Sequence, residues 1–155
     1  METPSGLFFC DTFTMNTDNC VLCTNQSNEQ LIWKNEFCRV ILANEEGLPG
    51  FIRVIWFEHV AEMTDLEPTQ RAELMRLIYK IETIVRKVML PHKINLATLG
   101  NLVAHIHWHI IPRYVDDPYF PGSVWSSKVR ELGEGELKER VQKEQLLVQV
   151  LQENL

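Results

Sequence analysis

The chain has 155 residues, of which 45% are hydrophobic and 23% charged, a composition typical of a soluble globular protein with one hydrophobic core. No apolar run approaches the roughly 20 residues that span a bilayer, and the N-terminus lacks a secretory signal, so we expect a single cytoplasmic domain over residues 1–155 that does not insert into membranes. The formal net charge of -6 and the lack of a Lys/Arg cluster argue against a nucleic-acid polymer as partner, whereas a small anion remains allowed.

Short strands are predicted in the first third of the chain. Residues 1–28 hold turn-forming residues and three of the four cysteines, so we expect little regular structure there. Residues 30–42 are rich in Ile, Val, Phe and Trp around a Lys-Asn-Glu turn, which predicts two short strands. A loop over 44–50 and a third strand over 51–57 follow. This succession favours an antiparallel sheet.

A long amphipathic helix is predicted next. Thr64 is placed to cap it, with Glu67 three residues later and Pro68 in the first turn, and Pro91 ends the segment. We expect its apolar stripe to pack on the sheet, with a partner-binding surface as the alternative. The stripe consists of Leu74, Leu77, Ile78, Ile81, Ile84, Val85 and Val88.

Three of the five histidines stand at alternate positions of one apolar stretch, residues 103–112. Successive side chains of a β-strand point to opposite faces, so His105, His107 and His109 would share one face, with Ile and Trp on the other. The stretch is therefore predicted as a fifth strand, after a fourth over residues 93–99. Such a row supplies neutral imidazoles as nucleophile, metal ligand or acid/base near neutral pH.

A second helix is predicted at the C-terminus, from residue 136 to about 152, and Gly133 and Gly135 before it indicate a hinge or tether. Its apolar side would hold Leu137, Val141, Leu146, Leu147, Val150 and Leu151. The expected fold class is α+β, a five-stranded antiparallel sheet with one main helix and a C-terminal helix.

The histidine stretch resembles the signature of the histidine triad superfamily, His-φ-His-φ-His-φ-φ with φ apolar. His-Ile-His-Trp-His-Ile-Ile at residues 105–111 matches it in full, and similarity extends over about residues 20–125, including a Pro-Gly turn at 49–50. The chain looks like the bacterial, diadenosine tetraphosphate hydrolase-like branch. The resemblance implies a single HIT-like domain and a homodimer.

The resemblance also implies a covalent mechanism at the α-phosphate of a nucleotide. His107 would be the nucleophile, and water would hydrolyse the nucleotidyl-histidine intermediate without a cofactor. His109 would orient His107, helped by backbone carbonyls, and His105 would contact phosphate oxygens or hold the geometry of the site. A dinucleoside polyphosphate and a nucleoside phosphoramidate are the substrates considered.

Three asparagines are the implied nucleotide-binding residues. Asn44 falls where relatives hold the ribose hydroxyls, and Asn95 lies near a phosphate-contacting position for which Asn101 is the substitute. Local backbone capping is the alternative for Asn44 and Asn95. Where many relatives carry Ser or Thr three residues before the first histidine, this chain has Leu102, so the leaving group stays open.

Two further side chains have two interpretations each. Arg113 would meet a distal phosphate or pair at the surface. Trp125 would be a pocket or dimer contact, unless it belongs to the core.

Cys20 and Cys23 are separated by two residues, a spacing common among zinc ligands. With His59 and His105 they would form a tetrahedral Cys₂His₂ structural zinc site, as the uridylyltransferase branch of the superfamily implies. Free thiols are the alternative. A redox pair is less favoured because the residues that follow are poor helix formers.

Two other functions remain open from the sequence. One is a nucleotide-binding regulatory protein with little turnover. The other is a His-ligated metalloenzyme, in which His107 would be a metal ligand rather than a nucleophile.

Overall fold

The computed structural model describes residues 17–24 and 29–155, so the expectation of little regular structure in residues 1–16 and 25–28 lies outside the described residues. The strands are β1 Gln30–Lys34, β2 Cys38–Leu42, β3 Ile52–Trp56, β4 Lys93–Ala97 and β5 His107–Arg113. The helices are α1 Val21–Thr24, α2 Pro68–Met89 and α3 Glu134–Asn154, and 3-10 turns cover Thr17–Asn19 and Met63–Asp65. No helix in this part of the chain is long and apolar enough to cross a membrane.

The five strands form one antiparallel sheet in the order β1-β2-β3-β5-β4. The predicted α+β class and the five-stranded antiparallel sheet are confirmed. Because β5 lies between β3 and β4, the histidine strand is an inner strand with a hydrogen-bonded partner on each side. Side chains of an inner strand are held on both flanks, which favours a fixed geometry.

One face of the sheet packs against α2 and α3 and forms the main core. All five strands place alternate side chains on this face, as the pleat requires. They are Ile32, Cys38, Val40, Leu42, Ile52, Val54, Trp56, Ile94 and Ile110. The opposite face carries the polar side chains that interrupt the apolar strands, and the candidate functional residues lie there.

The start of α2 differs from the prediction that Thr64 caps it. Thr64 lies in the 3-10 turn, and Glu67 is the N-cap, with a capping box in which the Gln70 side chain accepts from the Glu67 backbone N–H. Pro68 is the first helical residue. The ring of a proline disfavours helical backbone at the residue before it, so the helix begins at Pro68 and Glu67 takes the N-cap position. The buried stripe of α2 is Leu74, Ile78, Ile81, Val85 and Met89.

The Pro-Gly turn between β2 and β3 fits closely against the end of α2. Gly50 has a φ of +82°, and a Cβ there would lie 2.7 Å from the Met89 Cε atom. Only glycine combines this backbone conformation with such close approach to a helix. The Gly50 N–H donates to the Glu144 carboxylate on α3, so the turn joins both long helices.

The C-terminal helix is longer than predicted, and both glycines expected to form a hinge or tether lie at its start. Gly133 is the N-cap of α3 and Gly135 lies inside its first turn. The helix is fixed to the domain because both oxygens of Asp116 accept from Arg140 at 2.7 Å, and the Arg140 guanidinium lies 3.8 Å from the Tyr114 ring centre. Its packing face is Leu147, Val148 and Leu151, whereas Leu137, Val141 and Leu146 are exposed, contrary to the predicted apolar side.

Candidate active site and Cys/His cluster

Two of the three histidines lie in β5 and point to the sheet face away from the long helices. His107 is opposite Ile55 and His109 is opposite Arg53 on β3. Trp108 between them packs against the main core, as period-two alternation predicts. His105 precedes the strand, so the three histidines do not form one continuous row within β5.

A backbone carbonyl fixes the tautomer of His107. Nδ1 of His107 lies 2.7 Å from the carbonyl oxygen of His105, and a carbonyl only accepts, so Nδ1 carries the proton. Nε2 is then the unprotonated nitrogen. Burial lowers the pKa of His107, which keeps the imidazole neutral at neutral pH.

His109 packs beside His107 in an apolar setting. Its ring meets the His107 ring edge-to-face at 4.8 Å between centres, with Phe51 at 5.4 Å and Trp125 at 5.1 Å. Burial, aided by the charges of His107 and Arg53, lowers the pKa of His109 to about 3. Among the described residues its buried Nδ1 has no hydrogen-bond partner.

A cavity of about 400 Å³ opens over this pair of histidines. Of the three predicted asparagines, Asn101 lines this cavity together with His107 and His109. Asn44 is exposed at the end of β2, and Asn95 on β4 accepts from the Arg113 guanidinium at 2.7 Å. Neither Asn44 nor Asn95 is among the residues that line the cavity.

Arg53 is a cavity residue that sequence reasoning missed. Its guanidinium lies 3.0 Å from a Glu29 oxygen and 3.2 Å from a Glu45 oxygen. The sequence did carry a signal, because Arg53 is a charged residue within an otherwise apolar strand. It lies two residues from Ile55, so alternation puts both side chains on the same face of the sheet. Two carboxylates neutralise much of its charge, which limits what it offers to an anion.

His105 belongs to a second cluster beside the cavity. Its Nδ1 lies 3.5 Å from Cys20 Sγ and 3.4 Å from Cys23 Sγ, and Nδ1 of His59 lies 3.2 Å from Cys23 Sγ. One ligand atom from each of the four residues lies within 4.8 Å of the others. The structure thus brings together all four predicted zinc ligands, although they come from three distant segments of the chain.

The chemistry of this Cys/His cluster fits a tetrahedral cation. Bond lengths of about 2.3 Å to sulfur and 2.0–2.1 Å to nitrogen give ligand separations of about 3.6 Å, close to those between these sulfur and nitrogen atoms. Nε2 of His105 donates to the Trp56 carbonyl at 2.6 Å, which leaves the Nδ1 lone pair facing the thiols. Metal-binding histidines commonly donate their other ring N–H in this way.

Burial and the neighbouring Cys20 raise the pKa of Cys23 to about 11, so without a cation this thiol stays protonated. Buried Arg39 donates to the Leu22 carbonyl at 3.0 Å and holds the α1 segment on the sheet.

His105 is 1% exposed, and both of its ring nitrogens face protein groups. Of its two predicted roles, this geometry supports holding the site together rather than contacting phosphate oxygens.

The loop after β5 is organised by a buried carboxylate that sequence reasoning also missed. Asp117 accepts from the Arg113 guanidinium at 2.7 Å and from the backbone N–H groups of Tyr114, Tyr119 and Phe120. Arg113 is therefore buried in an ion pair, contrary to the phosphate-binding and surface-pair expectations. The same loop carries Trp125 to the cavity, in line with its interpretation as a pocket contact.

Comparison with known proteins agrees with this architecture. A histidine triad protein from Marinobacter aquaeolei superposes with a TM-score of 0.63 at 26% identity, covering 79% of this chain and 90% of that one. The AP-4-A phosphorylase of Mycobacterium tuberculosis is 34% identical over 87 residues, 52% of this chain and 45% of that protein. The asymmetrical bis(5'-nucleosyl)-tetraphosphatase of Schizosaccharomyces pombe is 27% identical over 89 residues, 54% and 49% of the two chains.

These two curated relatives are matched over about half of their own length. The family model described as the HIT domain matches residues 24–116, which contain β1 to β5, the cavity histidines and the histidines of the Cys/His cluster. The chain therefore belongs to the HIT domain family of histidine triad proteins.

Proposed function

We propose that the chain is a nucleotide hydrolase or nucleotidyl transferase that acts through a covalent intermediate on His107. The relatives' names, AP-4-A phosphorylase and bis(5'-nucleosyl)-tetraphosphatase, support nucleotide processing as the activity. Nε2 of His107 would attack the α-phosphorus, forming a P–N bond while the bond to the leaving group breaks with its electron pair. Water would then attack phosphorus, release the nucleoside monophosphate and restore the imidazole.

The observation that carries this proposal is the tautomer of His107. The 2.7 Å hydrogen bond from Nδ1 to the His105 carbonyl leaves Nε2 with a free lone pair in a residue that lines the cavity. This bond also stabilises the positive charge that develops on the ring as Nε2 bonds to phosphorus. His109 supports the nucleophile by packing against it rather than by a hydrogen bond within the described residues.

We also propose that Cys20, Cys23, His59 and His105 hold a zinc ion with a structural role. Four protein ligands close the coordination sphere, so a bound zinc would supply folding energy and bring no open position for chemistry. The ion would secure α1 against β3 and the start of β5, and through His105 it would fix the carbonyl that orients His107.

The homodimer and the single domain over residues 1–155 remain predictions from the resemblance. The regulatory-binder and metalloenzyme alternatives also remain, and the experiment below separates them from the proposed enzyme.

Intact-protein mass spectrometry after rapid mixing and quenching tests the proposal. Adenosine 5'-phosphoramidate and diadenosine tetraphosphate are the probes, and wild type is compared with His107→Asn and with His92→Asn, which changes an exposed histidine remote from the cavity. We expect an adenylyl adduct on wild type and on the His92 variant, and none on the His107 variant.

Absence of both adduct and product with either probe would overturn the enzyme proposal and favour a binding protein. Product formation that survives in His107→Asn would overturn the covalent route. Product formation by wild type that a chelator abolishes while Tm stays unchanged would favour the metalloenzyme, because loss of a structural zinc would lower Tm as well.

A further inference from the structure

A second cavity lies on the helix-covered side of the sheet, between the β1–β2 turn and the first half of α2. We call it the aromatic groove, and the side chains that line it include Trp33, Phe37, Trp56, Leu74, Leu77 and Lys80. Its volume is about 200 Å³, and none of the described residues lines both this groove and the His107 cavity. Small-molecule sites commonly measure about 300–1,000 Å³, so the groove has room for a single ring rather than a nucleotide.

A β-bulge turns Trp33 into the groove. The register of β1 on β2 shifts between Leu31 and Trp33, so that Ile32 is an extra residue of β1. As a result Ile32 and Trp33 both pack on the helix-covered core although they are consecutive, whereas regular alternation would place Trp33 on the opposite face. Bulges often redirect a side chain beside a functional site. The position of this indole therefore points to a role in the groove.

Phe37 presents an exposed ring on a firmly held turn. Its ring stacks on Trp56 with 5.5 Å between ring centres and 5° between ring planes, and Phe37 is still 39% exposed. The Asn35 side chain accepts from the backbone N–H groups of Phe37 and Cys38, at 2.9 and 2.8 Å. The Phe37 carbonyl accepts from the Phe57 N–H at 2.8 Å. Because the turn is already ordered, little conformational freedom is lost when a ligand binds there.

The helix side of the groove carries one cation without a partner. Leu77 and Lys80 are three residues apart on α2, so they share a face of the helix. Glu73 and Arg76, which also line the groove, pair with each other. Lys80 is exposed and takes part in no ion pair among the described residues. On a chain with a formal net charge of -6, this combination of aromatic side chains and one ammonium group suits an aromatic ligand with one negative charge.

We propose that the aromatic groove binds a small aromatic carboxylic acid. The single ring of the ligand enters among the three aromatic side chains of the groove, where stacked and edge-to-face contacts are available. Its carboxylate pairs with the Lys80 ammonium group. This site is separate from the His107 cavity, and the inference does not depend on the proposed function of His107.

An NMR titration of the ¹⁵N-labelled protein tests the inference with four probes: 3-phenylpropionate, 3-phenylpropionamide, propionate and N-acetylphenylalaninamide. The last probe stands for a phenylalanine side chain of a partner protein. We expect 3-phenylpropionate to bind most tightly and to shift signals of residues 33–38 and 73–80. Loss of the ring should weaken binding by at least about tenfold. Loss of the charge should weaken it by about two- to fivefold, as for an exposed ion pair.

Variants of two groove residues separate the contribution of the charge from that of the ring. Lys80→Gln should make the acid and the amide bind equally, and its exposed position leaves the packing of α2 intact. Phe37→Ala should weaken both probes alike, by about fivefold. Lys87→Gln, at an exposed position of α2 outside the groove, is the matched control and should follow wild type.

Four results would overturn the inference, and none of them bears on the proposed function of His107. The first is equal binding of the acid and the amide by wild type, and the second is tightest binding of N-acetylphenylalaninamide, which would indicate a protein partner. The third is a set of shifts that adenosine monophosphate abolishes by competition, which would place the probe in the His107 cavity. The fourth is the absence of shifts with every probe, and a fall in sedimentation mass for Phe37→Ala would then identify a second copy of the chain as the occupant.

Discussion

The Cys/His cluster and the His107 cavity lie side by side but expose their imidazoles in opposite ways. His105 donates from Nε2 to a carbonyl and turns Nδ1 toward the thiols of Cys20 and Cys23, whereas His107 donates from Nδ1 to a carbonyl and leaves Nε2 free in an open cavity. Two histidines only two residues apart thus have opposite tautomers. Backbone carbonyl positions, rather than the side-chain type, decide which histidine suits a metal and which suits a nucleophile.

The two regions are also linked through one residue. His105 contributes its ring to the cluster and its carbonyl to His107, so the closed region supports the geometry of the open one. The comparison predicts that changes in the cluster act mainly on stability, and that changes in the cavity act mainly on turnover.

The largest effect is expected at the nucleophile. His107→Asn removes the attacking nitrogen and should lower turnover of an adenosine phosphoramidate by at least about a thousandfold, while nucleotide affinity persists. Steady-state kinetics and calorimetric titration with adenosine monophosphate measure the two quantities. Near-wild-type turnover in this variant would contradict the proposal that the cavity carries out turnover while the cluster provides stability.

The next largest effect is expected at the carboxylate under the cavity loop. Asp117→Ala leaves the charge of buried Arg113 without its carboxylate and removes the side-chain acceptor of three backbone N–H groups, so the free energy of unfolding should fall by about 3–5 kcal/mol. Urea denaturation measures this. Asp65→Ala, at an exposed position with no described ion pair, is the control, and equal losses in both variants would contradict the buried role of Asp117.

Removal of zinc tests the expectation that the Cys/His cluster acts on stability. A free zinc concentration of about 100 times Kd adds about 2.7 kcal/mol to the free energy of unfolding. Chelation or Cys23→Ser should therefore lower Tm by about 5–11 °C. Differential scanning calorimetry with zinc analysis measures both. Cys38→Ala, which changes a buried cysteine outside the cluster, should keep the metal. A Tm unaffected by chelation in a zinc-loaded protein would contradict the structural role.

The smallest effect, taken over a single pH unit, is the pH dependence that His109 imposes on stability. Its pKa is about 3 in the folded protein against an ordinary value of 6.5, so the unfolded chain binds more protons between these values. Stability should therefore fall as pH decreases from 6.5 toward 3, with a slope of up to about 1.4 kcal/mol per pH unit.

His109→Gln should flatten this slope. Urea denaturation at several pH values, with chelator in every sample so that metal release does not contribute, measures the difference. Equal slopes for wild type and His109→Gln would show that His109 is not buried as a neutral imidazole.

Local sequence patterns predicted most of the fold and part of the site. Alternation identified β5 and the shared face of His107 and His109, and helical spacing identified α2. The cap of α2 was misplaced because a capping-box pattern at Thr64 competes with the restriction that Pro68 puts on its neighbour. The exposed Leu137 and Val141 show that a loosely apolar helix face does not reveal which side packs.

What sequence could not show is the part of the site made by partners distant in the chain. The carbonyl of Trp56 that orients His105 has no residue-type signal, and neither does the His105 carbonyl that orients His107. Arg53 and Asp117 each had a signal in the sequence. Arg53 is a charged residue within an apolar strand, and Asp117 is an acidic residue in a tight loop. Their roles emerged only once β3, β5 and the loop were brought together in space.

Native mass spectrometry of the zinc-loaded protein, mixed briefly with an adenosine phosphoramidate, tests the division of roles most directly because it counts metal and nucleotidyl groups on the same molecule. We predict one zinc and one adenylyl group on wild type, and one zinc without an adenylyl group on His107→Asn. If His107→Asn lost zinc together with the adduct, His107 would be a metal ligand, and the account of a closed metal cluster beside an independent nucleophile would be wrong.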